Sequence, residues 1–235
     1  DIDLQKNVLQ YQDKTILVTG AAGSIGSEIV RQLLKFKPHK LILFDQAETP
    51  LFDLKNELFK TNHTTQFEFL LRSVSNYASV EQCFKAHTID VVFHAAAYKH
   101  VYMTETTPAA AVLNNILGTK NVVDVAIKNK VAHFVMVSTD KAVNPSNVMG
   151  ASKRIAEMYV ANQAESSNTQ LITTRFGNVL GSNGSVVPIF KEQIAKGGPV
   201  TVTHPEITRF FMTITEACQL VLEAGATGTG GEIYV

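Results

Sequence analysis

The sequence contains few cysteines, and neither sign of charge is in excess. Of its 235 residues only Cys83 and Cys218 are cysteines, and neither these nor the seven histidines have the spacing of a metal site. We therefore expect buried free thiols in a reducing compartment and no metal. Lysine and arginine together number 21, as do aspartate and glutamate, and the chain has no basic stripe. A nucleic-acid partner is therefore not expected.

Long apolar runs are also missing. No stretch approaches the length that spans a bilayer, and the first residues are polar, so the sequence predicts neither a signal peptide nor a membrane segment in this chain. The first residue is Asp1 rather than Met, and residues 232–235 have the pattern of a strand. We expect the chain to be an excised piece that continues beyond Val235.

Short β-branched runs alternate with segments of helical periodicity. The predicted strands are 15–19, 41–44, 67–71, 91–94, 133–137 and 171–174, and the predicted helices are 24–35, 50–60, 77–86, 107–129 and 148–165. This alternation predicts an α/β fold with a Rossmann-type, doubly wound parallel sheet. Residues 1–14 resemble a polar lead-in arm, and the sequence becomes loop-rich after about Gly177.

A glycine-rich turn lies between the first predicted strand and helix. Gly20, Gly23 and Gly26 permit a tight turn and the close approach of a pyrophosphate, which the free N–H groups of the following helix attract. Asp45 ends the second strand, where an acid binds the adenosine ribose hydroxyls in such folds. A carboxylate there repels a 2′-phosphate, so NAD is favoured over NADP. An ordinary tight turn is the alternative interpretation.

A second group of candidate residues follows the fifth predicted strand. Thr139, Asp140 and Lys141 lie at the strand end, where ligands bind in such sheets, and Met149 and Lys153 share one face of the next helix. Short-chain dehydrogenases carry their proton-transferring tyrosine at the position of Met149. The ordinary alternatives are an exposed Asp140–Lys141 ion pair and a solvated lysine beside a core methionine.

Several motifs together carry a family resemblance. They are residues 18–26, 94–101, 138–145, 149–154, 175–182 and 203–213. With them the chain is identified as a member of the extended short-chain dehydrogenases, in the CapD-like branch of UDP-N-acetylglucosamine 4,6-dehydratases that serve bacterial surface polysaccharide, capsule and protein glycosylation. Methionine at position 149 resembles the large membrane-anchored members (WbpM- and PglF-like).

The resemblance implies a lyase with tightly bound NAD. Hydride leaves C4 of the sugar, the resulting 4-ketone acidifies C5, water leaves from C6, and hydride returns to C6. On matching positions Lys141 would be the base at C5, Asp140 would protonate the departing 6-hydroxyl, and Thr139 would hydrogen-bond the 4-oxygen. Lys153 would orient the cofactor. Met149 cannot accept the 4-hydroxyl proton, and we favour its relay through Thr139 or a water toward Lys141.

The resemblance also implies two sets of binding residues. The cofactor set is Gly20, Gly23, Ser24, Ile25, Gly26, Asp45, Gln46, Ser73, Val74, Ala95, Ala96, Ala97, Asn115 and Lys153. The substrate set is Lys99, His100, Asn178, Val186, Pro188, Thr201, Thr203 and Arg209. Family members usually carry an aspartate near the adenine amine, and Ser73 stands there in this chain. We accordingly predict an NAD-binding Rossmann domain with the catalytic residues at 1–178 and a partial, C-terminally truncated nucleotide-sugar lobe at 179–235.

Three other functions stay open: an inverting 4,6-dehydratase, a nucleotide-sugar 4-epimerase, and a catalytically impaired NAD-binding module. Asp140 and Lys141 argue against simple epimerisation, because inversion at C4 requires no base at C5. The resemblance further implies a homo-oligomer and, for the full-length protein, a place on the cytoplasmic face of the bacterial inner membrane. By itself, this piece of the protein would be soluble and cytoplasmic.

Overall fold

A parallel sheet forms the centre of the molecule. The computed structural model describes residues 4–182, 186–202, 204–206, 208 and 210–235. Its strands are β1 Thr15–Thr19, β2 Lys40–Asp45, β3 Gln66–Leu71, β4 Val91–His94, β5 His133–Thr139, β6 Gln170–Phe176, β7 Asn178–Leu180, β8 Phe211–Thr213 and β9 Ile233–Tyr234. Seven of them form one sheet in the order β3-β2-β1-β4-β5-β6-β9, all neighbours being parallel, and β7 pairs with β8 outside it.

Helices connect the strands and cover both faces of the sheet. They are α1 Leu4–Tyr11, α2 Ser24–Leu33, α3 Glu48–Leu58, α4 Tyr77–Ala86, α5 Val101–Thr106, α6 Pro108–Ala111, α7 Gly118–Lys128, α8 Val148–Ala164, α9 Val186–Ala195 and α10 Ile214–Thr227. Short 3₁₀ turns lie at Leu34–Phe36 and Asp140–Ala142, and a π-helical segment, Val112–Leu117, joins α6 to α7. The predicted Rossmann-type doubly wound fold is confirmed.

The hydrophobic core lies in two layers because side chains of a strand alternate between its faces. Ile16 and Val18 of β1 pack with α2 and α10, whereas Leu17 packs with α4, α7 and α8. Both faces are buried, which explains why the central strands are continuous apolar runs. Cys83 and Cys218 are buried, unpaired thiols in these layers.

The strand order changes direction between β1 and β4. Loops that leave these two strands diverge, and a crevice opens at the carboxyl edge of the sheet. The glycine turn follows β1, residues 95–100 follow β4, and Thr139 ends β5. The topology thus brings three motifs that are distant in sequence to one edge.

The structure departs from the predictions at the N-terminal end. Residues 4–11, expected as part of a polar arm, form α1. Tyr11 is completely buried, and its hydroxyl donates to the carbonyl oxygen of Leu222 in α10. Tyr11, with the buried Asn7 and the partly buried Val8, holds this segment against the core.

The C-terminal end also differs from the expected division at residue 178. Helix α10 packs on α1, α2, β5 and β6, and β9 extends the main sheet beside β6. These last elements therefore lie with the Rossmann layers rather than in a separate lobe, while β7 and β8 lie outside the sheet. In the described part of the chain, no helix is both long and apolar enough to cross a membrane.

Candidate active site

The glycine turn after β1 is set by close packing. Gly20 has a positive φ of 66°, and a Cβ added there would lie 2.6 Å from the Ala96 nitrogen. A Cβ at Gly26 would lie 2.0 Å from the Gly20 carbonyl oxygen, but one at Gly23 would lie 3.3 Å from the same atom. Packing thus requires glycine at the first and third positions and leaves the N-terminus of α2 open to an anion.

Asp45 lies at the end of β2 beside this turn. Its two carboxylate oxygens accept hydrogen bonds from the backbone N–H groups of Ala22 and Ala47, both at 2.9 Å. The carboxylate is therefore held in one orientation, with lone pairs left for further donors. That is the arrangement needed to bind a ribose diol, and it supports the choice of residue made from the sequence.

A smaller cavity of about 300 Å³ adjoins Asp45. The predicted cofactor residues that line it are Gly20, Gly23, Asp45, Gln46, Ser73, Val74, Ala95, Ala96 and Ala97. Ser73 Oγ donates to Gln46 Oε1 at 3.0 Å, and Gln46 Nε2 donates to the Tyr98 hydroxyl at 3.0 Å. The small side chains and fixed polar groups fit the adenosine half of a dinucleotide.

A larger cavity of about 1020 Å³ runs from the glycine turn to β7 and α9. Predicted residues on its wall are Gly20, Gly23, Ser24, Ile25, Gly26, Ala95, Ala97, Lys99, His100, Thr139, Lys141, Met149, Lys153, Asn178, Val186 and Thr201. Its volume matches that of known ligand pockets. Pro188 is exposed on α9 and does not line it. Thr203 and Arg209 lie outside the described residues.

Sequence reasoning missed several wall residues of this cavity. They include Met103, Thr104, Thr107, Ala110, Phe176, Phe190, Val202 and Phe211. The first four come from α5, the link that follows it and α6, a region in which the sequence shows no regular apolar period before residue 107. Phe176 lies two residues beyond the predicted strand 171–174 and ends β6, so its nearness to the carboxyl edge was the one available signal.

The residues after β5 form one hydrogen-bonded group. Thr139 Oγ1 donates to Asp140 Oδ1 at 2.8 Å, and Lys141 Nζ donates to the same oxygen at 3.0 Å. Lys141 Nζ also donates to Asn178 Oδ1 at 3.1 Å, which ties β7 to the group. The ion pair is only partly exposed, since 30% of the Lys141 side chain and 42% of the Asp140 side chain reach solvent.

Asp140 is ionised in this arrangement. Partial burial acts to raise its pKa, but hydrogen bonds from Lys141 and Thr139 outweigh burial, and the pKa is lowered from its usual value. The carboxylate therefore holds the negative charge and accepts the hydrogen bonds from Lys141 and Thr139. To act as the predicted general acid, Asp140 would instead have to carry a proton, and Lys141 would have to be a neutral amine to act as the base.

The start of α8 lies close against the segment after β5. Asn147 caps the helix, its Oδ1 accepting from the Gly150 nitrogen at 2.8 Å. A Cβ at Gly150 would lie 2.4 Å from the Lys141 carbonyl oxygen, so glycine permits the contact. This packing places Met149 and Lys153 on the same cavity wall as Lys141.

Lys153 is buried rather than solvated. Its side chain is 4% exposed, and Nζ donates to the Val137 carbonyl oxygen at 2.7 Å. Burial lowers the pKa of Lys153 to about 8, against an opposing effect of Glu157. Met149 is also 4% exposed and presents a thioether where a phenol would otherwise stand. The ordinary interpretation of a solvated lysine does not hold here.

Replacing Lys153 by methionine is expected to flatten the pH dependence of stability. The native pKa of about 8 lies below the ordinary 10.5, so between these values the unfolded chain keeps a proton that the native protein has lost. Wild-type stability should therefore rise with pH across this interval, by about 3 kcal/mol in total. Urea unfolding at both ends of the interval measures the rise, and an equal rise in both proteins would rule out Lys153 as its source.

Asn115, which the resemblance assigns to the cofactor set, links two of the elements around the cavities. Asn115 is fully buried in the π-helical segment. Its Oδ1 accepts from the backbone N–H of Tyr98 at 2.8 Å, and its Nδ2 donates to the backbone carbonyl oxygen of Tyr98 at 3.0 Å. The same Nδ2 donates to Ser152 Oγ at 2.9 Å. Neither of the two cavities includes it. Asn115 thus joins the loop after β4 to α8 and supports the wall instead of forming it.

No metal centre is evident among the described residues, where no three His, Cys, Asp or Glu side chains are grouped for an ion.

The sequence over residues 16–235 matches the family model described as polysaccharide biosynthesis protein. The chain belongs to this family. The capsular polysaccharide biosynthesis protein CapD of Staphylococcus aureus is 52% identical over 237 residues, covering 100% of this chain and 40% of that protein. The predicted membership of the CapD-like extended short-chain dehydrogenases is confirmed.

Two further proteins extend the comparison. A UDP-glucose 4-epimerase of Rickettsia canadensis is 39% identical over 232 residues, covering 96% of this chain and 66% of that protein. The X-ray structure of Pen from Bacillus thuringiensis has 38% identity and a TM-score of 0.90, covering 95% of this chain and 69% of that one. This chain spans about 40% of the length of its CapD relative.

Proposed function

We propose that the chain is the catalytic part of an NAD-dependent nucleotide-sugar 4,6-dehydratase of polysaccharide biosynthesis. The specific reaction is dehydration of UDP-N-acetylglucosamine to UDP-2-acetamido-2,6-dideoxy-hexos-4-ulose, with retention at C5. The observation that carries the proposal is the hydrogen-bonded group of Thr139, Asp140, Lys141 and Asn178. Thr139, Lys141 and Asn178 line one end of the cavity that begins at the glycine turn, whereas Asp140 is not among the lining residues and adjoins the cavity through its hydrogen bonds with Thr139 and Lys141. An amine with an adjoining carboxylate is suited to acid–base work beside a hydride acceptor.

Residues of this chain can bind each part of NAD. Asp45 would bind the adenosine ribose, the N-terminus of α2 would receive the pyrophosphate, and Lys153 would orient the nicotinamide ribose. Bound NAD would supply reversible removal of hydride from the sugar. The Asp45 carboxylate disfavours a 2′-phosphate, and Arg72, which lines the same cavity, directs its guanidinium to the Ser79 carbonyl oxygen at 3.2 Å rather than to that carboxylate.

One proton transfer would prepare both catalytic groups. In the structure Asp140 is the charged acceptor and Lys141 the donor, at 3.0 Å. Movement of that proton to Asp140 creates a neutral amine, which can take the C5 proton, and a carboxylic acid, which can protonate the 6-hydroxyl. A bound sugar that excludes water favours the neutral pair, because burial penalises charge.

Thr139 and Lys141 are also the groups that can serve the 4-hydroxyl. The Thr139 hydroxyl both donates and accepts, and it lies one hydrogen bond from the carboxylate that Lys141 contacts. It can pass the 4-hydroxyl proton toward this pair, which must release one proton to solvent before Lys141 can take the C5 proton, whereas Met149 can pass none. The relay through Thr139 or a water therefore remains our assignment.

Incubation with UDP-N-acetylglucosamine in deuterated water tests the reaction. The full-length protein should form a 6-deoxy-4-keto sugar that carries deuterium at C5, since the base returns a solvent-derived proton there. Proton and carbon NMR of the product give both the deuterium position and the C5 configuration. Inverted configuration would replace the retaining assignment by the inverting one.

Simple 4-epimerisation is the second candidate, favoured by the similarity to the Rickettsia epimerase. An epimerase would give the C4 epimer with a protonated C5 and an intact 6-hydroxyl. An unchanged sugar in the presence of bound NAD would instead support a binding module. These three outcomes differ in the same NMR spectrum.

A further inference from the structure

Two charged side chains of α8 are almost completely buried. Glu157 is 1% exposed and Lys153 is 4% exposed, and they lie four residues apart on one face of the helix. Lys153 has a role in the proposed function, but Glu157 does not reach either cavity. A carboxylate is not buried at this depth without partners, so its contacts need a separate explanation.

Glu157 joins α8 to two strands. Its Oε1 accepts from Ser138 Oγ of β5 at 2.6 Å and from Arg175 Nε of β6 at 2.9 Å, and its Oε2 accepts from Arg175 Nη2 at 2.6 Å. Ser138 and Arg175 are direct partners in the pairing of β5 with β6. The two-point contact with the guanidinium fixes direction as well as distance.

This contact sets the position of Lys153 along β5. The Lys153 ammonium donates to the carbonyl of Val137, and the next residue, Ser138, donates to Glu157. Two successive turns of α8 are thus attached to two successive residues of one strand. We propose that Glu157 is a positioning residue, which fixes Lys153 at the cavity wall and balances its charge.

The electrostatic part of this role depends on the surroundings of Lys153. Titratable groups on β4, on α8 and on elements packed against α8 are His94, Tyr102, Glu105, Lys120, Asp124, Lys128, His133, Asp140, Lys141, Arg154, Tyr159 and Arg175. Burial lowers the pKa of His94 to about 3, so it is neutral. Burial lowers the pKa of Lys153, and the charge of Glu157 opposes that effect. Removing Glu157 would also leave the Arg175 charge without its partner.

Glu157→Gln tests the proposal because it keeps the size of the side chain and removes its charge. We expect the pKa of Lys153 to fall by about one unit. The NMR shift of ¹³Cε-labelled lysine, assigned with K153M, follows this titration directly and requires no activity. Arg175→Gln should move the pKa of Lys153 upward, because it removes the guanidinium that binds Glu157 at two points and leaves only the longer contact of 3.4 Å with Arg154. Opposite shifts distinguish charge balance from a general loss of packing.

Glu81→Gln is the matched control. Glu81 also binds two cations, Lys85 and Lys128, but on the surface of α4 and α7, and the pKa of Lys153 should not change. An unchanged pKa of Lys153 in both the Glu157 and Arg175 variants would overturn the proposal, and either variant suffices if the other does not fold.

The consequence for turnover rests on the proposed function. The alkaline limb of the kcat profile of E157Q should move to lower pH by the same amount as the Lys153 titration, so that activity lost at neutral pH returns on acidification. A uniform loss at every pH would contradict charge balance. Absence of dehydration in the wild-type protein would count against the proposed function alone, since the NMR titration still decides the role of Glu157.

Discussion

Lys141→Met is expected to lower kcat for dehydration by about a thousandfold or more, the usual contribution of a general base. The substitution keeps the length of the side chain and removes the only amine that contacts Asp140 in the described structure. Without it the C5 proton has no acceptor, and Asp140 has no source for the proton that the 6-hydroxyl requires. The affinity for the nucleotide sugar should change far less than kcat, because the ring and the diphosphate have other contacts.

The same variant decides where the 4-hydroxyl proton goes. If Thr139 passes that proton to Lys141, hydride removal from C4 also stops, and substrate produces no absorbance of reduced cofactor. If another acceptor serves the 4-hydroxyl, the variant stops one step later and the reduced cofactor accumulates. A single rapid-mixing experiment with excess protein therefore separates the two routes.

Lys85→Met provides the control for this experiment. Lys85 is an exposed lysine of α4 that pairs with Glu81, remote from both cavities. It removes the same charge from the protein and should leave kcat unchanged. Full turnover by the Lys141 variant would show that the base at C5 is a different group.

The fold could be predicted because its signals are local. Each central strand is a continuous apolar run, the predicted helices that became α2, α3, α4, α7 and α8 each have their own period, and the turn after β1 requires glycines at fixed spacing. Helix α1 has no comparable signal, since its contact with the core depends on only a few residues, chiefly Tyr11 with Asn7 and Val8. The return of α10 and β9 to the main sheet depends on tertiary packing, which no local pattern records.

The site could be predicted in its parts but not in its charges. Thr139, Asp140 and Lys141 are adjacent in sequence, so they lie close together in any fold. The contact of Lys141 with Asn178, in contrast, depends on the fold of the chain. Glu157, Ser138 and Arg175 are brought together only by the pairing of β5 with β6. Protonation follows from these contacts, which is why the charged state of Asp140 opposes the acid role assigned from the family resemblance.

Gly26→Ala is expected to remove both cofactor binding and a large part of the stability. The new Cβ would lie 2.0 Å from the carbonyl oxygen and 2.7 Å from the carbonyl carbon of Gly20. Both are backbone atoms of the turn, so relief requires α2 to move away from β1. Overpacking of this kind costs about 3 kcal/mol, and the displaced N–H groups of α2 no longer face the pyrophosphate. Thermal unfolding and calorimetric titration with NAD measure the two losses.

Gly23→Ala separates packing from ligand clearance. Its Cβ would lie 3.3 Å from the same Gly20 oxygen, and Gly23 has a φ of −73° that alanine adopts without strain. The melting temperature should therefore fall far less than that of Gly26→Ala, whose Cβ would lie 2.0 Å from the same oxygen. The affinity for NAD should nevertheless fall, because a methyl group at this position faces the pyrophosphate. If Gly26→Ala melted and bound NAD like the wild type, the turn would be looser than the structure shows and the phosphate site would lie elsewhere.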